Sequence, residues 1–442
     1  MEAVVADSTD FNAVLYEKLY SKLAIALGVG STSRDASFRI GESLLSIYNP
    51  GQYLPVGLKP QTSPADNQEI SQIFDTSPMF DFTYAPSALT VSDAYKSILD
   101  FKLFPIADLS PAERTKLDNA RKSYAELEGP TTEAMYAYWD AADALDEAQA
   151  SYDNGSGPAP SRRLKGEVDA AMNKWIAAGK VQQETNLAII QQLEGRDGAA
   201  FWQELDVRWA KNQGKLDTGM EFPPAVLAPS YNSWFKQEGW TKFNFNQKDM
   251  DNQKNSSALG VAGALDGKFG IFTISGSGDY KKEQEYVKID QTELTFACEL
   301  MRVTITRPWM NPLLFNSRAW KFDPTAPSAT YSTGGSIDNV MVPKGVFVTL
   351  PTTVILARNV EIIGQLTKTE QEIVDTAING QASLGIGPFS ITGRVSYRDR
   401  TEKISGTMAG NSIKIADTQI IAAISQILPQ LPNPDPNLPW PT

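Results

Sequence analysis

Cys298 is the only thiol in the chain and histidine is absent, so few residues could carry covalent or acid–base chemistry. A cysteine nucleophile acts as the thiolate and needs an electropositive, partly exposed setting. Here Leu294, Phe296, Cys298 and Leu300 alternate with Glu293, Thr295 and Glu299. That alternation puts Cys298 on the apolar face of a strand, as a buried structural thiol. Without histidine there is no Ser-His-Asp triad, no Cys-His dyad, no His-bound zinc and no His-based pH switch. One cysteine also excludes an internal disulfide and a Cys-rich metal site. Hydrolysis could still use a carboxylate pair, which needs only two acids at a suitable separation, and separation in space is not written in one sequence.

Phosphate and metal motifs are weak. There is no G-x-x-x-x-G-K-[ST] and no G-x-G-x-x-G between a strand and a helix. Gly276-Ser277-Gly278 lies inside a strand pattern, where glycine relieves packing or permits a bulge. Asp249 and Asp251 begin like a calcium loop. Its sixth position holds Lys254 and its twelfth Gly260, where glycine and glutamate are required, so a solvated turn is the better reading. Asp143, Asp146 and Glu147 share one helix face, as on any charged outer surface. No catalytic, cofactor-binding or metal-binding residue is expected, and the chain reads as non-enzymatic. Lys+Arg number 40 against 52 Asp+Glu, a net charge of −12. The one short basic cluster is Arg162-Arg163-x-Lys165. Nucleic acid is therefore not an expected partner, and anionic lipid is disfavoured.

The elements that must position these residues give an α+β chain of 442 residues. Residues 1–105 form a mixed, mainly helical region. It opens with an amphipathic helix over 11–28 that packs on the body, and short helical patterns are interrupted at Asn49-Pro50-Gly51. Another helical pattern over 87–104 ends at Pro105. Residues 106–215 form a long antiparallel helical hairpin or rod. Ser110-Pro111-Ala112-Glu113 is a capping box with proline at the first helical position, and Gly129-Pro130 predicts a stop. Helices follow over 132–152, with a seam of Met135, Tyr138, Ala142, Leu145 and Tyr152, over 162–194 as one rod, and over 198–212. Residues 216–428 form an antiparallel β-sandwich-like domain with long strands. The apolar phase flips between Leu300 and Met301, which predicts a bulge there.

Two further features stand out. Phe272-Thr273-Ile274-Ser275-Gly276, then Tyr280, echoes Phe389-Ser390-Ile391-Thr392-Gly393, then Tyr397, at the same spacing. This suggests paired strands, neighbours in one sheet. Residues 429–442 form a proline-rich extended tail that cannot pair within a sheet. It carries Pro432, Pro434, Pro436 and Trp440 as candidate assembly contacts. A short helical pattern, Ile420-Ile421-Ala422-Ala423-Ile424, precedes it.

Residues 256–279 read SSALGVAGALDGKFGIFTISGSGD. Asp266-Gly267 is a two-residue hairpin turn between two runs of small and apolar residues. This resembles the membrane-inserting hairpins of β-pore-forming toxins, with Val261, Leu265, Phe269 and Ile271 as lipid-facing candidates. The resemblance covers only this hairpin and the plan of helical rod plus β body. An ordinary sandwich hairpin competes with it, because Phe269, Ile271, Phe272 and Ile274 put apolar groups on both faces.

The leading reading is a membrane-active, pore-forming-toxin-like protein that oligomerises, with lipid and its own copies as partners. The alternative is a self-assembling structural or adaptor protein held by strand edges and the tail. A carbohydrate-binding sandwich is a third reading, since nine tryptophans permit sugar stacking. No signal peptide and no transmembrane helix are expected. The expected origin is cytoplasmic synthesis, with a non-classical route if the protein is released.

Overall fold

The computed structural model describes residues 19, 22, 23, 43–105, 110–153, 158, 159, 161–194, 198–246, 272–275, 285–287, 294–328, 330–335, 342–364, 366, 368–379, 383–397 and 400–440. Over these residues the chain is α+β. Seven α-helices are described: α1 (Pro64–Ile73), α2 (Val91–Asp100), α3 (Pro111–Asp153), α4 (Arg162–Ala177), α5 (Lys180–Glu194), α6 (Gly198–Lys211) and α7 (Lys368–Asn379). Thirteen strands build the two main sheets. They are β1 (Ser43–Tyr53), β2 (Val226–Ala228), β3 (Thr241–Phe245), β4 (Phe272–Ser275), β5 (Glu285–Val287), β6 (Leu294–Thr306) and β7 (Thr349–Gly364). After α7 come β8 (Ser383–Ile386), β9 (Phe389–Tyr397), β10 (Arg400–Ser405), β11 (Thr407–Ala409), β12 (Ser412–Ile415) and β13 (Gln419–Ile427).

The larger, eight-stranded sheet runs β1-β13-β7-β6-β2, with β3 also on β6, β12 on β7 and β11 on β12. The smaller, five-stranded sheet runs β5-β4-β8-β9-β10. Both are antiparallel. One hydrophobic core serves both. Phe296, Ile355, Ile420, Leu384, Ile386, Phe389 and Ile391 are all within it, and α7 adds Val374. Leu19 and Leu23 are buried in the same core; apart from these and Lys22, the expected helix over 11–28 lies outside the described residues.

Three local expectations change here. The run Ile420–Ile424 is not helical but the middle of β13, between β1 and β7. Five successive apolar residues suit a strand buried on both faces as well as they suit a helix turn, and all five are buried. Residues around Asn49-Pro50-Gly51 are likewise extended. The β1–β13 register jumps between Ile47↔Ala422 and Gln52↔Ile420, so this tripeptide is a bulge within β1. Finally, no bulge separates Leu300 from Met301. The β6–β7 register is continuous from Glu299↔Arg358 to Thr304↔Thr353, and the irregularity lies between Ala297 and Glu299. It is accommodated on β7 at Asn359, whose φ is 49°, a conformation asparagine tolerates better than most residues. The apolar phase flips because Phe296, Cys298 and Leu300 bury one face of β6 while Met301, Val303 and Ile305 bury the other.

The helical region begins as predicted. Glu113 N–H donates to Ser110 Oγ at 3.3 Å, and Ser110 N–H donates to Glu113 Oε2 at 3.0 Å. It does not stop at Gly129-Pro130, because α3, 43 residues long in all, continues through Pro130 to Asp153. Pro130 has no N–H to donate, and the Thr131 hydroxyl donates to Leu127 O at 2.6 Å, one turn back. The expected rod over 162–194 is instead two helices, broken at Gly179 with φ 105°. That conformation suits glycine alone. Contacts between α3 and its neighbours run in reverse order: Ser123 meets Asn186, Leu127 meets Gly179, and Tyr138 meets Trp175.

The two sheets meet at a short polar clasp. Ser390 N–H on β9 donates to Gln419 Oε1 of β13 at 2.7 Å, and Tyr53 OH of β1 donates to Ser390 O at 2.5 Å. Gln419 is fully buried. Burial pushes the Tyr53 phenol far above its ordinary pKa, so it remains a donor. Glycines let the strands approach this closely. A Cβ on Gly51 would lie 2.5 Å from Gln419 Oε1 and 2.7 Å from Pro388 O, and one on Gly385 would lie 2.2 Å from Pro50 Cβ.

This junction predicts opposite signs for two substitutions. Gly51→Ala is expected to destabilise the protein by about 1–3 kcal/mol through overpacking against backbone. Gly166→Ala, inside α4 with no atom within 4 Å of the new Cβ, is expected to stabilise by about 0.5–1 kcal/mol. Urea unfolding midpoints at constant m-value test both.

Candidate functional site

The place where the candidate hairpin meets the body is β4. Val261, Leu265, Asp266, Gly267, Phe269 and Ile271 lie outside the described residues, as do Asp249, Asp251 and Gly276-Ser277-Gly278. The backbone of β4 is described, and it has no free edge. Phe272 is paired with Val287 of β5 on one side and with Ile386 of β8 on the other. A two-residue turn at Asp266-Gly267 would put Val261 opposite Phe272 and Gly260 opposite Thr273. Neither edge of β4 is available for that. Phe272 and Thr273 already have these partners on both sides, and the rest of the expected hairpin lies outside the described residues.

The sequence echo falls on β4 and β9. They are not adjacent, as the repeat suggested, but flank β8 on its two sides. Ile386 is the register partner of both Phe272 and Phe389. Both strands run antiparallel to β8 and hence parallel to each other, and parallel neighbours cannot be joined by the tight hairpins that build this sheet. An intervening strand is the geometric answer.

The proline-rich tail is docked on its own chain. Gln430–Leu431 pairs with Ser332–Thr333, so the tail does join a sheet, at a point where no proline blocks the ladder. Leu431 is fully buried. Beyond Pro432, Asp435 N–H donates to Arg318 O at 2.8 Å. Trp440 Nε1–H donates to Asp435 O at 2.8 Å, and Lys321 Nζ lies 5.3 Å from the Trp440 ring centroid. Pro432 and Pro434 are half-buried and Pro436 is exposed.

A shallow groove of about 390 Å³ is lined by Lys102, Phe104, Trp202, Gln203, Asp206, Val207 and Ala210. It lies on the second, aromatic core that joins α2 and α6 to the segment around Trp309, Trp320 and Tyr331. Lys102 Nζ donates to Leu99 O at 2.6 Å and to Asp206 Oδ2 at 3.0 Å. The groove therefore offers an apolar floor and an ion pair already satisfied within the chain. Sequence spacing could not have found it, because Lys102 and Asp206 come from elements 104 residues apart.

Buried ionisable groups are tied into the scaffold. Arg307 donates to Pro351 O at 2.7 Å and to Phe74 O at 2.9 Å, and burial lowers its pKa to about 10. Burial raises the carboxyl of nearby Asp75, which accepts from the N–H and hydroxyl of Ser92. Arg358 Nε donates to Glu299 Oε2 at 2.7 Å and holds that carboxyl below its usual range. Its guanidinium carbon lies 4.2 Å from the centroid of the Trp240 ring. Among the described residues, no group of three or more Cys, Asp or Glu side chains is arranged to hold a metal. The acids Asp143, Asp146 and Glu147 lie on α3, and Arg162, Arg163 and Lys165 are exposed at the start of α4. Also among the described residues, no helix is long and apolar enough to cross a membrane.

Cys298 is buried, and burial pushes its thiol up to about 12, opposite to what a nucleophile needs. No family model, curated protein or solved structure matches the chain. The geometry of Cys298 predicts no reaction with an aromatic disulfide reagent at pH 8 in the folded protein and one thiol per chain in denaturant. Rapid native labelling would contradict this placement.

Proposed function

We propose that this chain is a non-enzymatic, membrane-active protein that acts like the β-pore-forming toxins. After its copies associate, the segment 256–271 enters the bilayer. The observation that carries the reading is the root of that segment. Strands that enter lipid must have every backbone group paired, so their hydrogen bonding has to continue from a sheet of the body. The candidate segment runs directly into β4, a strand bonded along both edges. In the same reading, α3 with α4 and α5 is a helical hairpin that makes or shields contacts between copies. In this reading the rod is residues 106–215, and the β body takes in β1 (Ser43–Tyr53) together with 216–428. The net charge of −12 favours a zwitterionic surface over an anionic one.

A second reading, self-assembly through the tail, is favoured by one observation. The tail is held by a two-residue strand pair, one backbone bond from Asp435 to Arg318 and Lys321 over the Trp440 ring, contacts that a neighbouring copy could equally accept by swapping. Sugar binding is less favoured, because Trp175, Trp202, Trp234, Trp309 and Trp320 are all buried and a stacking platform needs an exposed ring.

Dye release from phosphatidylcholine vesicles, with light scattering on the same sample, tests the proposal. Leakage accompanied by a defined oligomer is expected. Phe269→Asp and Ile271→Asp should each cut the release at least tenfold while leaving the unfolding midpoint unchanged. Vesicles that stay intact at saturating protein, or variants that leak like the parent, would overturn the membrane reading. A large regular assembly that disappears on deleting 432–442 would move the conclusion to self-assembly.

A further inference from the structure

We infer that the helical pair formed by α3 with α4 and α5 is a jointed arm, bending at one level set by Pro130 and Gly179. A break in one helix of a packed pair does not make a joint, because the intact partner splints it. Here α3, though continuous, lacks one backbone hydrogen bond at the height where the facing side passes from α4 to α5. Leu127, three residues before Pro130, is the side chain a Cβ on Gly179 would strike, with Leu127 Cδ2 at 2.6 Å. On the α3 side, Pro130 removes the N–H that would bond Glu126 O. The Thr131 hydroxyl takes up the next carbonyls, Leu127 O at 2.6 Å and Glu128 O at 3.3 Å. Mid-helix prolines of this kind are a principal cause of kinks. On the facing side, α4 closes with Gly179 N–H donating to Ile176 O at 3.0 Å. Then α5 restarts with Gln183 N–H donating to Gly179 O at 2.8 Å.

The packing divides at the same level. Below it, Leu117 and Ala120 of α3 pack with Ile190 and Leu193 of α5. Above it, the Tyr138 and Trp175 rings lie 5.5 Å apart. Between these apolar ends the seam is polar: Thr131, Lys180, Gln183 and Asn186 are buried, and Asn186 Nδ2 donates to Ser123 Oγ at 2.8 Å. Polar contacts of this type can be exchanged for contacts with water at little net cost, whereas parting the apolar ends would expose hydrocarbon. Each half therefore stays intact while the crease between them opens. Exposed Ile176 and Val181 flank the crease.

Electron–electron resonance distances between spin labels test this on the full chain. Labels at Asp118 and Lys165, both exposed, span the crease at roughly 45 Å given 1.5 Å per helical residue. Labels at exposed Ala112 and Thr185 stay within the lower half and serve as the control. Buried Cys298 stays unlabelled. The spanning pair is expected to give a distribution at least twice as wide as the control, and Pro130→Ala, which restores the missing donor, should narrow it towards the control. Equal widths in the parent would overturn the joint, and so would a spanning width that Pro130→Ala leaves unchanged. If Pro130→Ala fails to fold, the parent comparison alone decides.

Discussion

The backbone N–H and C=O of Ser390 tie the two sheets of the β portion to each other. Its N–H is taken by Gln419 and its carbonyl by Tyr53, so one residue of the smaller sheet is bonded to two strands of the larger. These groups are buried, and a buried polar group left without its partner costs about 1–3 kcal/mol. The clasp therefore adds a directional constraint on the position of one sheet against the other. It also forces the strands so close that positions 51 and 385 must be glycine. Phe296, Ile386, Phe389 and Ile391 then fill the shared core around it.

From that fixed junction the rest of the smaller sheet follows. β9 is pinned by Ser390, β8 pairs with β9, and β4 pairs with β8. β4 is thus rooted in the body through a continuous ladder, and the small-residue segment that precedes it departs from a point that cannot drift. In the proposed reading this root is what would deliver the hairpin. The helical pair is organised differently. It has a partly polar seam at the height where α3 carries Pro130 and the facing side passes from α4 to α5, the level at which we infer that it bends.

Sequence reasoning succeeded where the signal was local. The Ser110–Glu113 capping box is complete within four residues, and the structure reproduces both of its hydrogen bonds. It failed where a tertiary neighbour overrode a local rule. Gly129-Pro130 reads as a stop, yet Thr131 and the packing of α4 and α5 carry the helix through. Gly179 does not interrupt the apolar pattern, yet its positive φ ends α4. Ile420–Ile424 is ambiguous by pattern alone, and burial between β1 and β7 settles it as strand. The echo of β4 and β9 was legible as repetition, but their separation by β8 depends on strand direction, which a repeat does not encode. The Lys102–Asp206 groove was invisible, because its residues meet only in the fold.

The central claim is that a fixed sheet root carries a lipid-seeking segment. Amide hydrogen exchange with and without phosphatidylcholine vesicles tests it most directly. The account predicts slow exchange at 272–275, 383–386 and 389–392 in both conditions, with new protection on lipid confined to 256–271. Loss of protection in those three strands on lipid, or no lipid-dependent change at 256–271, would contradict it.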